Sequence, residues 1–408
     1  MPPATLGGSA PTASATAIPT TPPPLEMVRR HQRIFGRVWR IVERNYLYSD
    51  YNGVDWNAIR EEYAPLVAAA PDDETFWQLM AEMIERLNDD HSGFLTPEEV
   101  AEEEAAVSGT LDYVGIGVSI AVPDDANYGV ILYPMPGSPA ESAGLRAHDR
   151  ILAIDGVPTC CDADGYDNLD LLQAEAGTTV ELRVASPGDG ERTVTLERAR
   201  IQAQAPIAHR RIPTANGDVG YVLIPTLWDE TIAPRTREVL TAMWAEGPLT
   251  GLIVDLRVNG GGIDSQLYDL LSLFTEGEVG DFYQRGGKQD PVSIEADPIE
   301  ETQTIPLVIL VGPYTESFAE VLSGVLQDVG RAHLVGAPTA GNVETLLSYN
   351  LEDGSRLWLA EETFVPPSGI RWEGQGVQPD EIIPDAWEDF DETNDPHIAA
   401  ALAWFTGD

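Results

Sequence analysis

Gly251-Leu-Ile-Val-Asp255-Leu256-Arg257-Val258-Asn259-Gly260-Gly261-Gly262 reads as a buried strand that runs directly into a glycine-rich turn. The strand is an unbroken apolar run, as a buried strand has. The three glycines let the backbone turn sharply and point N–H groups into a cavity. A plain structural turn has the same composition. A phosphate loop is excluded, because the Lys-Ser/Thr ending is missing. Helical patterns at 231–245, 264–275 and 315–328 alternate with strands at Gly220–Ile224, Gly251–Asp255, Pro306–Val311, His333–Val335 and Arg356–Leu359. Residues 200–390 therefore read as an α/β unit with a central sheet.

Two further stretches precede this unit. From Leu25 the pattern is helical, with Phe35, Val38, Trp39 and Val42 on one face. Asp72 and Asp73 are placed to cap another helix striped by Phe76, Leu79, Met80, Met83, Ile84 and Leu87. That helix runs out at Asn88-Asp89-Asp90-His91-Ser92-Gly93, and Glu98–Glu104 reads as a solvated helix face or linker. Residues 112–198 are strand-rich, with short helices expected from Ala140 and near 165–175, and a strand pair at 179–185 and 192–197. Residues 1–24 are Pro, Ala, Thr, Ser and Gly in the main, a tether that cannot build a core and has no signal-peptide apolar region.

Composition narrows the function. Of 408 residues, 24 are Lys or Arg and 67 are Asp or Glu, a formal charge of −43. Such a chain repels phosphate backbones, which excludes nucleic acid as a partner. No apolar run reaches the roughly 18 residues of a membrane span. The single lysine is Lys288. The two cysteines, Cys160 and Cys161, are neighbours that close a disulfide only with strain, so the fold is not disulfide-stapled. No His, Cys or carboxylate spacing matches zinc or calcium, so no metal and no cofactor are expected.

Val311-Gly312-Pro313-Tyr314-Thr315-Glu316-Ser317-Phe318-Ala319-Glu320 reads as strand, loop and helix start. Thr315 is a fair N-cap, placing Ser317 in the first turn, where free N–H groups favour developing negative charge. Serine also begins helices for structural reasons. A neutral serine needs a base. Of the six histidines, His91 alone lies in an acid- and glycine-rich turn. Glu373, in Arg371-Trp372-Glu373-Gly374-Gln375-Gly376, offers a carboxylate beside glycines.

Together these segments resemble the C-terminal processing (tail-specific) serine proteases. Val114-Gly115-Ile116-Gly117-Val118 and Pro136-Gly137-Ser138-Pro139-Ala140 through Gly144-Leu145, with Asp149-Arg150-Ile151, resemble a PDZ domain. Asp255-Leu256-Arg257-x-Asn259-x-Gly261-Gly262, Ser317 with Glu320, Pro338-Thr339-x-Gly341 and Gly376-Val377-x-Pro379-Asp380 resemble the catalytic part. Asn342 stands where the lysine-dyad branch carries its Lys. His91 and Glu373 fit instead the branch typified by the tricorn protease core.

The resemblance implies an α+β multidomain protein. Its parts are an N-terminal helical subdomain at 25–110, a PDZ domain at 112–198, a crotonase-like α/β catalytic domain at 200–390 and a C-terminal segment at 391–408. It implies Ser317 as nucleophile, His91 as general base and Glu373 as orienting group. Gly261 and Phe318 N–H groups would form the oxyanion hole. Ile116, Gly117 and Val118 N–H groups would receive a peptide's terminal carboxylate. Unfolded or tail-exposed polypeptides would be the substrates, and an exported protein is favoured. The alternatives are a non-catalytic peptide-binding PDZ protein on a degenerate protease scaffold, and a carrier of hydrophobic ligands.

Overall fold

A computed structural model describes residues 23–407, except 90, 109, 111, 124–125, 161–166, 203 and 385. Most of the expected tether, with Asp90 and Cys161, lies outside the described residues.

The expected stripe of the first helix, Leu25–Asn45, is buried through Phe35, Val38, Trp39 and Val42. It packs against Trp56–Ala69 and Asp73–Glu85, and Asp72 caps the latter by accepting from Thr75 N. The middle helix is not evident in the sequence, because Pro65 interrupts its stripe of Trp56, Ile59, Tyr63 and Val67. This helical layer also buries Leu357, Leu359 and Ala360 of the sheet that follows, with Leu351 from the turn between two of its strands. The strand Gly93–Leu95 then joins that sheet, antiparallel to Arg356–Val365.

The acidic run is not solvated throughout. It lies in the helix Pro97–Val107, opened by a Thr96/Glu99 capping box. Glu103 is buried, paired with the Arg356 guanidinium and accepting from Trp358 Nε1 at 2.7 Å. Arg356 answers the charge that burial would otherwise make costly.

Residues 118–197 form a six-stranded sheet around Ile116, Ile131, Leu145, Ile151, Val180 and Leu182. Among the described residues, Val118–Ala121 is an edge strand of that sheet, hydrogen-bonded to Gly129–Pro134 alone. Asp112–Gly115 and Ala199–Gln202 pair with each other and bring the two ends of the unit together. The expected helix near 165–175 is, among the described residues, only a 3-10 turn at Leu169–Leu172. Cys160 is disulfide-bonded.

The central sheet has six strands. His209–Thr214 is antiparallel to Gly217–Leu223; Gly251–Asp255, Leu307–Val311, His333–Gly336 and Glu381–Ile382 follow in parallel. Side chains alternate between two cores. Leu252, Val254 and Ile309 face the helices Ile232–Ala245, Asp264–Phe274 and Phe318–Asp328. Ile253, Val308 and Leu310 face the opposite side, where Trp387, Phe390 and Ile398 pack with Val130 and Leu132. The C-terminal segment is therefore built into the second core, through the helix Pro396–Thr406. Asp395 caps that helix and joins Asp255 on the Arg257 guanidinium. Among the described residues no helix is long and apolar enough to cross a membrane.

Candidate active site

Ser317 sits where strand Leu307–Val311 gives way to helix Phe318–Asp328. The N-cap is Ser317, not Thr315 as the sequence suggested. Thr315 is fully buried, and its hydroxyl donates to Leu256 O at 2.8 Å while accepting from Gly312 N. That bond ties the loop to the Asp255-Leu256-Arg257 segment and moves the helix start on by two residues.

The Ser317 backbone is strained, at φ 53° and ψ −126°. Such a conformation persists only where its surroundings over-determine it. Here the Ser317 N–H donates to Asn342 O at 2.9 Å and to Glu320 Oε2 at 3.0 Å. Glu316 N donates to Asn259 O on the glycine-rich turn. Glu320 is fully buried and accepts from four donors: Thr339 Oγ1, Gly341 N, Asn342 N and Ser317 N.

Gly261 lies against this turn. A Cβ there would stand 2.7 Å from Ser317 Cβ and 3.1 Å from Phe318 N, and φ is +81°. The two expected oxyanion donors are thus adjacent to the serine. Phe318 opens the helix, so its N–H has no intrahelical acceptor. The Gly261 N–H, in contrast, donates to Asn259 Oδ1 at 2.9 Å.

His91 arrives from the N-terminal helical layer. Asp89 Oδ1 accepts from His91 N, and Ser92 Oγ accepts from Ala360 N at 3.1 Å, which pins the turn to the strand Arg356–Val365. The imidazole is mostly buried, with Nε2 3.6 Å from Glu373 Oε1 and 3.6 Å from Glu344 Oε2. Burial disfavours the imidazolium, but Glu373, Glu344 and Asp89 outweigh it, and the His91 pKa lies above its ordinary value. Burial likewise raises the Glu316 carboxyl next to Ser317, and the His91 charge acts against that rise.

Glu344 is the residue the sequence did not reveal. It begins the strand Glu344–Asn350, is 4% exposed, and one of its oxygens accepts from Tyr48 Oη. Its carboxyl is pushed up to about 7, chiefly by burial. Glu373 uses its second oxygen to accept from Val343 N at 2.9 Å. The four residues Gly341–Glu344 therefore touch every part of the site: Gly341 N and Asn342 N bond Glu320, Asn342 O holds Ser317, Val343 N holds Glu373, and Glu344 faces His91.

The other candidates lie elsewhere. Lys288 is exposed on a hairpin turn and donates to Gln284 Oε1. His31 pairs with Asp73, His148 with Trp387 O, and His333 with Asp380. At the expected carboxylate loop, Gly117 has φ +78°, and a Cβ there would fall 2.4 Å from Ser138 Cβ. Ile116 O and Gly117 O accept from Ala140 N and Met135 N, fixing the loop ahead of the edge strand.

Three family matches lie along the chain: a Tricorn protease C1 domain at residues 28–85, a PDZ domain at 130–186 and Peptidase family S41 at 218–383. A carboxyl-terminal-processing protease of Synechocystis sp. is 31% identical over 392 residues, covering 92% of this chain and 87% of that protein. A chloroplastic C-terminal processing peptidase of Tetradesmus obliquus is 30% identical, over 88% and 80% respectively. The solved structure of a photosystem II D1 C-terminal processing protease, 28% identical, superposes with a TM-score of 0.65 over 86% of this chain and 93% of that one. On this sequence identity across nearly the whole chain, the chain belongs to the carboxyl-terminal-processing proteases of peptidase family S41, which are serine-type peptidases.

Proposed function

We propose that this peptidase cleaves unfolded or tail-exposed polypeptides with a Ser317–His91–Glu373 triad in place of a Ser–Lys dyad. Ser317 Oγ attacks the scissile carbonyl. His91 takes its proton and returns it to the leaving amine; water then repeats the sequence on the acyl-enzyme. Glu373 orients the imidazole and stabilises its charged form. Phe318 N–H, with Gly261 N–H once it is released from or shared with Asn259, receives the oxyanion. Losing one such donor typically costs about 10²–10³-fold in turnover.

The observation that carries this reading is the convergence on Gly341–Glu344. One short segment holds the serine backbone at Asn342 O and the orienting carboxylate at Val343 N, while its last residue faces His91. The lone lysine is remote from that segment in character, solvated on its hairpin. A substrate tail would add to the edge strand Val118–Ala121, with its carboxylate on the N–H groups of Ile116, Gly117 and Val118. We place the protein in an exported compartment, periplasmic or extracellular, on the family resemblance.

A fluorophosphonate label tests the triad directly. Unmodified protein and Lys288→Ala should be labelled alike on Ser317 and should hydrolyse unfolded peptides at similar rates. Ser317→Ala should take no label, and His91→Ala should lose most labelling and hydrolysis. Labelling that survives His91→Ala and vanishes in Lys288→Ala would overturn the assignment. For the tail site, equal affinity for a peptide acid and its C-terminal amide would do the same.

A further inference from the structure

We propose that His91 Nε2, Glu344 Oε2 and Glu373 Oε1 form a binding site for a divalent transition-metal ion, Zn²⁺ foremost. Among the described residues this is the group of His and carboxylate side chains whose ligand atoms all lie within 4.8 Å of one another. Both carboxylate oxygens are 3.6 Å from Nε2. Tetrahedral zinc with bonds of about 2.0–2.2 Å separates neighbouring ligand atoms by roughly 3.3–3.5 Å. The two separations from His91 exceed this by only a few tenths of an ångström, and the two carboxylate oxygens, within 4.8 Å of each other, close the triangle by moving toward the ion.

A second observation points to a cation. Glu344 Oε2 is buried, its side chain 3% exposed, and has no hydrogen-bond partner among the described residues. Its sister oxygen is held by Tyr48, so the carboxylate cannot turn away from His91 without losing that bond. A buried carboxylate oxygen with no donor is costly, and a metal ion satisfies it outright. Glu373 is similarly fixed through Val343 N, and the Ser92–Ala360 bond fixes the turn bearing His91. Such outer contacts hold metal ligands in place.

The donor set selects the ion. One imidazole and two carboxylates, with no thiol, suit Zn²⁺ and its neighbours in the transition series rather than Cu⁺. The nitrogen ligand argues against Mg²⁺ and Ca²⁺. The Glu373 side chain is 29% exposed, which leaves a path for the ion and room for a water as fourth ligand. The sequence shows no metal motif because the ligands come from three segments, at 91, 344 and 373, rather than from one helix or turn.

An ion on Nε2 takes the lone pair of that nitrogen and draws both carboxylates to itself. His91 can then neither be oriented by Glu373 nor shuttle a proton. Zinc would silence the peptidase reversibly, a consequence that rests on the role given to His91 above; the binding itself does not.

Zn²⁺ is titrated into full-length Ser317→Ala, which keeps all three ligands, in competition with a chromogenic chelator. One ion should bind per chain. Adding Glu344→Gln, Glu373→Gln or His91→Ala should each weaken uptake by about tenfold or more. Glu373 is the most exposed ligand, so its variant serves if Glu344→Gln melts early when metal-free. In parallel, Zn²⁺ should inhibit the unmodified enzyme, and EDTA should restore it. Absence of saturable uptake, or uptake unchanged by all three substitutions, overturns the site. One-to-one binding through these residues with hydrolysis undiminished keeps the site and overturns the role of His91.

Discussion

Glu320→Gln is the sharpest test of how the Ser317 turn is held. The substitution changes one oxygen to an NH₂ group and almost nothing in volume. Each Glu320 oxygen accepts from two donors: Oε1 from Thr339 Oγ1 and Gly341 N, Oε2 from Ser317 N and Asn342 N. Whichever way the amide turns, two donors face an NH₂ group. Each buried donor left unsatisfied costs about 1–3 kcal/mol. Glutamine recovers part of this, because burial already disfavours the charged carboxylate and raises its pKa. A net loss of about 2–4 kcal/mol follows, equivalent to a fall on the order of 10 °C in the Tm of the catalytic unit. Urea unfolding followed by tryptophan fluorescence would read it, since Trp372 packs against the same helix at Gly324. Fluorophosphonate labelling should slow as well, because one orientation of the amide removes a restraint on Ser317 N and the other loosens Gly341, next to the Asn342 carbonyl that supplies the second restraint. A loss under about 0.5 kcal/mol, the level of a neutral surface change, would show that the four-donor cradle does not hold the turn.

Other outcomes follow from the same geometry. Gly261→Ala puts a Cβ 2.7 Å from Ser317 Cβ and 2.9 Å from Glu316 O, at positive φ; labelling should fall by at least tenfold while circular dichroism stays near that of the parent. Arg257→Met leaves Asp255 and Asp395 buried without their cation and should cost about 3–5 kcal/mol in chemical unfolding. Burial lowers the pKa of His148, which is stacked on Trp387 near Phe390, Arg257 and Asp395. The unfolded chain therefore binds more protons at this position below about pH 6.5, and stability should fall as pH drops from there. His148→Phe should flatten that slope in melts taken across the range.

Most of the architecture was legible because its signals are local. The strand at Gly251–Asp255 and the helix Phe318–Asp328 follow from runs and stripes that need no partner to be recognised. Ser317 was legible as a residue at a helix start, yet its place as N-cap was not. Thr315 looks the better cap until Leu256 O, far away in sequence, claims its hydroxyl. Glu103 and Glu344 were hidden for a related reason. Each reads as one more acidic residue in an acidic chain, and only the arrival of Arg356 or of Tyr48 and His91 makes it a buried, partnered group. The commitment of the Gly261 N–H to Asn259 Oδ1 is equally invisible, since it depends on the fold of the turn itself.

The three-residue strand Gly93–Leu95 also sets a clock. It adds to a sheet whose other strands all begin at or after Gly277, and its partner spans Arg356–Val365. A ribosome releases the His91 turn early and the strand that receives it almost last. Closing a loop of that length is slow relative to local helix formation. The His91 turn can therefore dock only when nearly the whole chain is out. A chain made as far as the helix Phe318–Asp328 carries both His91 and Ser317 but lacks the strand Arg356–Val365 that receives the His91 turn. On the proposed assignment of His91 and Ser317, the order of the chain keeps the nascent protease inactive until its last strands are made.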